Sequence, residues 1–158
     1  PCGSGRLASA LADAALRVHL DANLPMLEAA RASLGGGAAL AGSVLALPFA
    51  ERSFDAVVSC RFLHHLHAAD ELERAVAELV RVSRALVVVS FWDAASLPGW
   101  RVRLGLKRHE GPRGRVFRAR AELAEAFARV GAPVLEFAPV LRFVTQQTFL
   151  VARRSDAR

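Results

Sequence analysis

The feature that most constrains this chain is a glycine turn near its start, followed by a short apolar run that ends in a carboxylate. Gly3 and Gly5 belong to the turn, and the run is Val18-His19-Leu20-Asp21. Glycine lets a ligand approach the backbone closely, and the N–H groups of a following helix can bind an anion. A carboxylate at the end of a strand can accept hydrogen bonds from both hydroxyls of a ribose. Together the two features predict an α/β fold that binds a ribose-bearing cofactor.

Each half of this pattern also has a second interpretation. The spacing Gly3-x-Gly5-x-x-Ala8 fits the dinucleotide pattern of nicotinamide enzymes, and a glycine turn before a helix can be purely structural. Asp21 has as its alternative a role as a helix cap or as a solvated side chain. Motifs elsewhere in the chain are therefore needed to identify the cofactor.

Apolar periodicity predicts strands that alternate with helices along the chain. The helices are expected over residues 6–16, 25–34, 70–82 and 121–130, the second with Asn23 as its N-cap and the last closed by Gly131. The strands are expected over residues 17–21, 38–45, 54–60, 85–91, 134–140 and 145–152, with 54–60 buried on both faces. This order predicts an α/β fold: a Rossmann-like, doubly wound, mostly parallel sheet that ends in an antiparallel hairpin.

The net charge of +6 is concentrated in one segment. Residues 93–120 contain eight basic and two acidic residues, so this segment alone carries the chain's whole excess. The segment has no clear periodicity, and long stretches of that kind in a compact domain are usually binding loops or lids. Its arginines suit carboxylate and phosphate groups, so it predicts an acceptor site that favours anions, with a solvated basic loop as the alternative.

Cysteine and histidine usage gives little sign of metal chemistry. Cys2 and Cys60 are too few for a disulfide framework or a metal cluster, so no metal site and a cytoplasmic location are predicted. No run approaches the roughly 20 apolar residues that span a bilayer. Among His64, His65 and His67, His65 is the one candidate for a catalytic base, and a structural role is the alternative.

Several segments resemble the class I methyltransferases that use S-adenosylmethionine. They are residues 47–49 (Leu-Pro-Phe), 53–57 (Ser-Phe-Asp-Ala-Val) and 63–66 (Leu-His-His-Leu). Residues 21–31 are similar to the family's acid-to-helix segment, and residues 78–82 resemble the end of the helix before its fifth strand. The most similar branch contains the ubiquinone and menaquinone biosynthesis methyltransferases and many small-molecule enzymes. A nicotinamide enzyme is not expected to share these motifs.

The resemblance implies a seven-stranded sheet in the order 3-2-1-4-5-7-6, with strand 7 antiparallel. Residues 1–158 would form one methyltransferase domain that supplies strands 2–7, so the central first strand is expected to precede Pro1. The family's acidic residue near the methionine end of the cofactor would precede Pro1 as well. We therefore expect residues 1–158 alone to be poorly stable, because loss of a central strand leaves two unpaired strand edges.

The cofactor contacts implied by the resemblance come from the glycine loop, the acid-to-helix segment, the adenine side and the tip of strand 4. They are Gly3, Ser4, Gly5, Asp21, Ala22, Met26, Ser43, Val44, Cys60, Arg61 and Phe62. Among them, Asp21 would hold the ribose, and Met26 would lie near the ribose and adenine. The family commonly has an aspartate where this chain has Ser43, and a serine is a weaker partner for adenine. That departure leaves a non-catalytic cofactor-binding domain as an alternative.

The resemblance leaves the methyl acceptor and the oligomeric state undetermined. A small-molecule acceptor, either anionic or lipid-like, is expected at residues 93–120. The same segment contains Leu97, Trp100 and Leu104 beside its arginines, which favours contact with an anionic lipid surface as an alternative. Aromatic residues are few there, so stacking on nucleic-acid bases has little support.

Overall fold

The structure is a computed structural model that describes residues 2–31, 37–106 and 114–156. It contains two groups of paired strands. The chain divides into two compact units, Pro1–Pro48 and Phe49–Arg158. Each unit has its own sheet.

The first unit is a short β–α–β crossover. Strand β1 (Val18–Asp21) pairs in parallel with β2 (Ala38–Ala41), from Val18 opposite Ala38 to Asp21 opposite Ala41. Helix α1 (Leu24–Arg31) connects them and buries Leu27 and Ala30. Asn23 accepts the N–H of Met26 through its Oδ1 atom at 3.1 Å, as an N-cap does, which confirms the predicted cap. The predicted end of this helix, residues 32–34, lies outside the described residues.

The predicted helix over residues 6–16 is wrong. That segment forms turns and one 3₁₀ turn, Ser9–Leu11, whose backbone hydrogen bonds run from each N–H to the carbonyl three residues earlier. The physical reason is the lack of an apolar face that can be buried. Ala8 is buried in this segment, while Leu16 is exposed. Alanine favours a helix, but short helices in proteins depend on tertiary packing more than on propensity.

The second unit is built on a five-stranded sheet with helices between its strands. In chain order its elements are β3 (Phe54–Ser59), α2 (Ala69–Val82), β4 (Ser83–Asp93), α3 (Leu97–Arg103), β5 (Phe117–Arg118), α4 (Arg120–Arg129), β6 (Val134–Pro139) and β7 (Gln147–Arg153). The strand order is β3-β4-β7-β6, and β5 pairs with β4. Strands β3 and β5 are parallel to β4, whereas β7 is antiparallel to both β4 and β6.

These pairings confirm the predicted α/β fold and its C-terminal antiparallel pair. Within each unit, neighbouring strands are the neighbours that the methyltransferase order requires: strands 3 and 2 in the first unit, and 4-5-7-6 in the second. Strand β4 is the longest strand among the described residues, and its Val87, Val89 and Phe91 are almost inaccessible. Their side chains form the core of this unit together with Leu123 and Phe127 of α4.

Two further predictions for the second unit need correction. Strand β3 is not buried on both faces, because Asp55 and Ala56 are exposed and Ser59 is its one buried residue. Residues 93–120 are not structureless, since they contain α3 and β5 among the described residues. Residues 107–113, with Lys107, Arg108 and Arg113, lie outside the described residues.

Candidate functional site

The Asp21 carboxylate holds the glycine turn against the end of β1. Its Oδ2 atom accepts the N–H of Gly3 at 2.7 Å, and its Oδ1 atom accepts the N–H of Asn23 at 2.9 Å. The backbone carbonyl of Asp21 also accepts the N–H of Gly42 at 3.1 Å, which ties β1 to the turn after β2. One carboxylate therefore fixes both the glycine turn and the start of α1.

The two glycines have backbone conformations that other residues rarely adopt. The φ angle is +53° at Gly3 and +78° at Gly5, both in the left-handed region. A Cβ atom added at Gly3 would meet no heavy atom within 4 Å, so the space above this residue is open. The turn also joins β1, because the N–H of Cys2 donates to the carbonyl of Leu20 at 2.8 Å. Burial, followed by the nearby Asp21 carboxylate, raises the pKa of the Cys2 thiol, which therefore stays protonated at neutral pH.

The other predicted contacts in this unit surround the same strand ends. Ala22 and Met26 are exposed at the beginning of α1, and Ser4 is exposed in the glycine turn. In the turn after β2, Val44 is buried and Ser43 is exposed. The Ser43 hydroxyl accepts the N–H of Leu45 at 3.2 Å, so its oxygen already serves a local turn while its proton can be donated elsewhere.

At the carboxyl end of β3, a buried serine organises the backbone. The Ser90 hydroxyl accepts the N–H of Arg61 at 2.8 Å and donates to the Cys60 sulfur at 3.3 Å. Gln147 of β7 donates a second, longer hydrogen bond to that sulfur at 3.7 Å. Arg61 itself has φ of +58°, a conformation that costs a non-glycine residue free energy. These hydrogen bonds restrain the backbone at the predicted residues Cys60, Arg61 and Phe62.

The hydrogen bonds of Ser90 and Gln147 in this cluster were not predicted from the sequence. Serine within an apolar strand was the available signal, because a buried hydroxyl requires a hydrogen-bond partner. The partner itself depends on the pairing of β4 with β3 and β7.

Histidine 64 is buried, while its neighbour His65 is exposed. The His64 ring stacks on Trp92 with ring centroids 5.0 Å apart, and the His65 ring lies 4.3 Å away. Burial, followed by the charges of His65, Arg115 and Arg61, lowers the pKa of His64 to about 3. Partial burial of its ring, followed by Arg115, also lowers the pKa of His65, although the residue as a whole is exposed. Both rings are therefore neutral at pH 7.

Asp93, a buried carboxylate at the end of β4, is a further residue whose role was not predicted from the sequence. Asp93 accepts a hydrogen bond from Arg120 Nε at 2.8 Å and another from Thr148 Oγ1 at 3.2 Å, both at Oδ2. Its Oδ1 atom accepts the N–H of Ala95 at 2.9 Å, and its carbonyl accepts the Ser96 hydroxyl at 2.6 Å. Asp93 thus fixes the entry to α3, and the sequence signal for it was a carboxylate that closely follows the apolar run of residues 85–91.

Several arginines of residues 93–120 form intramolecular contacts. Arg118 is buried and bonded to Glu122 and to the carbonyl of Leu66. Arg120 pairs with Asp93, and the Arg115 guanidinium lies 5.0 Å from the centre of the Trp92 ring. The charge count alone suggested that all cations of this segment are available to a partner. These three arginines are instead engaged within the protein.

Among the described residues, no group of three or more His, Cys, Asp or Glu side chains could hold a metal ion. No helix in the described ranges has the length and apolar character required to cross a bilayer.

Comparison with known proteins adds the family. The methyltransferase-domain family matches residues 1–89. A protein of Encephalitozoon cuniculi (strain GB-M1) whose name designates it a methyltransferase is 43% identical over 81 residues, which are 51% of this chain and 36% of that protein. The demethylmenaquinone methyltransferase of Thermobifida fusca (strain YX) is 37% identical over 83 residues, which are 48% of this chain and 34% of that enzyme. The aligned region thus spans about a third of each relative's length.

A solved structure has the same fold over nearly the whole chain. The magnesium protoporphyrin IX methyltransferase of Synechocystis PCC 6803, crystallised with bound SAH, superposes with a TM-score of 0.79 at 20% identity. The superposition covers 98% of this chain and 71% of that enzyme. The family match extends over more than half of the chain, as the motifs between Asp21 and Leu66 predicted. This chain belongs to the methyltransferase-domain family.

Proposed function

We propose that this protein binds S-adenosylmethionine and catalyses transfer of its methyl group to a small-molecule acceptor. The observation that carries the proposal is the Asp21 carboxylate, which anchors the Gly3 turn at the end of β1. Both residues lie in the segment that matches the methyltransferase-domain family.

The residues of the first unit fit such a cofactor. An ionised carboxylate has about four lone-pair positions. The N–H groups of Gly3 and Asn23 use two of those on Asp21, so two remain for the hydroxyls of a ribose. The open space above Gly3 lets a ligand lie directly against the backbone there. In the proposal these residues, with Ser4, Gly5, Ala22, Met26, Ser43 and Val44, hold the cofactor.

When bound, S-adenosylmethionine supplies a methyl group that its positive sulfur makes electrophilic. What the chain contributes is orientation of the acceptor and exclusion of water, which can supply a large part of a rate enhancement. In the second unit, the path of Cys60, Arg61 and Phe62 is fixed by Ser90 at the carboxyl end of β3. Ligands of parallel α/β sheets bind beyond the carboxyl ends of strands, so we propose that these three residues contact a ligand at the end of β3.

The acceptor is proposed to be anionic or lipid-like. Arg101 and Arg103 of α3 are exposed, and α3 follows the carboxyl end of β4. Guanidinium groups suit carboxylates and phosphates, whereas the exposed Leu97 and Trp100 on the same helix suit an apolar body. We also place the protein in the cytoplasm, because both of its cysteines are free thiols and this fits a reducing compartment.

Two assays test the proposal. Calorimetry with S-adenosylmethionine, S-adenosylhomocysteine and NADH should show binding of the first two and none of the third. Incubation with methyl-labelled S-adenosylmethionine and a small-molecule cell extract should then place label in an organic-phase or anionic product. Tight NADH binding would replace the proposal with a nicotinamide oxidoreductase. Cofactor binding without label transfer to any fraction would favour the non-catalytic alternative, which Ser43 in place of the family's aspartate supports.

A further inference from the structure

Exposed apolar side chains cluster on two neighbouring segments of the second unit. One segment is α3 with the residues just after it, and the other connects β6 to β7. Eight of the fourteen exposed large hydrophobic residues among the described residues belong to these two short segments. We call them the apolar rim: Leu97, Trp100, Leu104, Leu106, Val140, Leu141, Phe143 and Val144, each between 50% and 69% exposed.

The two segments of the rim are joined by their backbones. The N–H of Leu97, at the start of α3, donates to the carbonyl of Phe143 at 2.8 Å. Leu97, Trp100 and Leu104 recur at a spacing that places them along one side of a helical turn. The hydrogen bond brings the start of α3 beside Phe143, so the two exposed apolar segments are neighbours, and clustered exposed apolar side chains on a folded protein mark interaction sites.

The charge on this surface has one sign. Arg101, Arg103 and Arg142 are exposed between the rim residues, and residues 97–106 and 140–146 contain no Asp or Glu. Arg103 lies over the Trp100 ring at 5.4 Å, and Arg142 lies over the Phe143 ring at 5.1 Å. Within the described part of the chain, these three arginines form no ion pair with a carboxylate, unlike Arg120. Exposed aromatic and aliphatic chains interleaved with unpaired cations are typical of surfaces that rest on anionic lipid.

The rim also lies at the carboxyl end of β4, the end of such a sheet at which ligands bind. Trp92, near the carboxyl end of β4, pairs with Gln147 at the start of β7, and Pro139 at the end of β6 pairs with Thr148. The connection between β6 and β7 therefore lies at the carboxyl end of β4, where α3 also begins. Ligands of such sheets bind at this end, so a bilayer contacting the rim would adjoin the site of a lipid-soluble acceptor.

We propose that the apolar rim docks this protein onto an anionic lipid bilayer as a peripheral membrane protein. The rim side chains enter the interface, and Arg101, Arg103 and Arg142 contact lipid headgroups. The proposal rests on the exposed residues of the second unit, and it is independent of whether a cofactor is bound.

The experiment is a vesicle flotation assay without S-adenosylmethionine. The chain is mixed with vesicles of phosphatidylcholine alone, or of phosphatidylcholine mixed with the anionic lipid phosphatidylglycerol, and the bound fraction is measured at low and at high salt. We expect binding to the anionic vesicles, weaker binding to the neutral ones, and loss of the difference at high salt. Trp100 fluorescence should shift to shorter wavelength on binding, and the shift should disappear in Trp100→Phe.

Matched variants separate the rim from the rest of the surface. Trp100→Ser with Phe143→Ser should abolish flotation, whereas Leu135→Ser, at an exposed leucine of β6, should not. Arg101→Gln with Arg103→Gln should weaken binding about fivefold for each arginine. The same change at Arg74 and Arg153, which are also exposed, should have a much smaller effect. Circular dichroism checks that each variant is folded.

Three outcomes would overturn the proposal. The first is equal binding of the rim variants and the starting protein, and the second is equal binding to neutral and anionic vesicles. The third is a dimer in sedimentation that the Trp100→Ser and Phe143→Ser changes dissociate, in a protein that does not float, because a second copy would then cover the rim. Failure of cofactor binding in calorimetry would leave the lipid result unaffected, so this proposal and the proposed function fail separately.

Discussion

The Oδ2 atom of Asp21 accepts the backbone N–H of Gly3 at 2.7 Å, across eighteen residues of chain. The Oδ1 atom of the same carboxylate accepts the N–H of Asn23. The residue proposed to hold the ribose therefore also holds the loop against which the cofactor would lie. Replacing it should affect both the stability of the turn and the affinity for cofactor.

The first prediction is that Asp21→Asn weakens binding of S-adenosylhomocysteine by about 10- to 150-fold, or roughly 1.5–3 kcal/mol. Asparagine keeps one acceptor oxygen but places an NH2 group against one of the two backbone N–H donors. Calorimetry measures the affinity, and thermal unfolding measures the accompanying loss of stability.

Asp13→Asn is the matched control for this change. Asp13 is an exposed carboxylate in the same unit, so its replacement removes the same charge without touching the turn. Equal affinities for Asp21→Asn, Asp13→Asn and the starting protein would refute the ribose role of Asp21.

The second prediction concerns the left-handed conformation of Arg61, at φ of +58°. Arg61→Gly should be more stable than Arg61→Ala by about 1 kcal/mol, because glycine adopts this conformation without a Cβ clash. Denaturant unfolding of the two variants measures the difference. Comparing glycine with alanine removes the contribution of the arginine side chain.

The same pair at Arg74 should give the opposite sign. Arg74 is exposed within α2, where glycine is about 1 kcal/mol less favourable than alanine. If Arg61→Ala equals or exceeds Arg61→Gly in stability, the hydrogen bond from Arg61 N–H to Ser90 does not impose the strained conformation in solution.

The existence of most strands was predictable from particular residues, whereas the order of the strands was implied by the resemblance to the methyltransferases. Val87, Val89 and Phe91 belong to a short apolar run rich in β-branched residues, which favours a buried strand, and the run leads into Asp93. Asn23 likewise marked the beginning of α1 as its N-cap, directly before Leu24. Local signals of this kind do not depend on distant parts of the chain.

What the sequence did not predict depends on register and on burial. Thr148 reaches Asp93 because β7 pairs with β4 in one register, and the sequence of neither strand specifies that register alone. The alanine-rich segment before Leu16 has helical propensity, but it buries too little apolar surface to form an α-helix. The charge count for residues 93–120 likewise could not show that Arg118 is buried and paired.

The third prediction is that His65→Gln leaves methyl transfer within about threefold of the starting protein. Loss of a true general base would reduce the rate about 10²- to 10⁴-fold. His65 is exposed and lies beside His64, and its lowered pKa keeps it neutral, which fits a structural position as well as a base. Turnover with labelled cofactor is the measurement, and His67→Gln is the control at a second exposed histidine. A loss of 100-fold or more that is confined to His65→Gln would make His65 the catalytic base.

The fourth prediction is a loss of stability in mild acid that depends on His64. Its pKa is about 3 in the folded protein, against 6.5 for an unperturbed histidine. Above pH 6.5 the ring is neutral in both states, so it adds no pH dependence. Below pH 6.5 the unfolded chain binds a proton that the folded protein does not, so the free energy of unfolding falls toward pH 3 by roughly 1 kcal/mol per pH unit. The fall between pH 6.5 and 4.5 should be about 2–3 kcal/mol.

His64→Phe tests this directly, because phenylalanine can keep the stack on Trp92 but cannot bind a proton. Denaturant unfolding at a series of pH values should show a shallower decline for this variant, while His67→Gln, at an exposed histidine, should decline as the starting protein does. His19 and His65 also have lowered pKa values, so some decline of the same sign should remain in His64→Phe. An unchanged slope in His64→Phe would mean that the ring is accessible to protons in the folded state, and that burial against Trp92 does not keep it neutral.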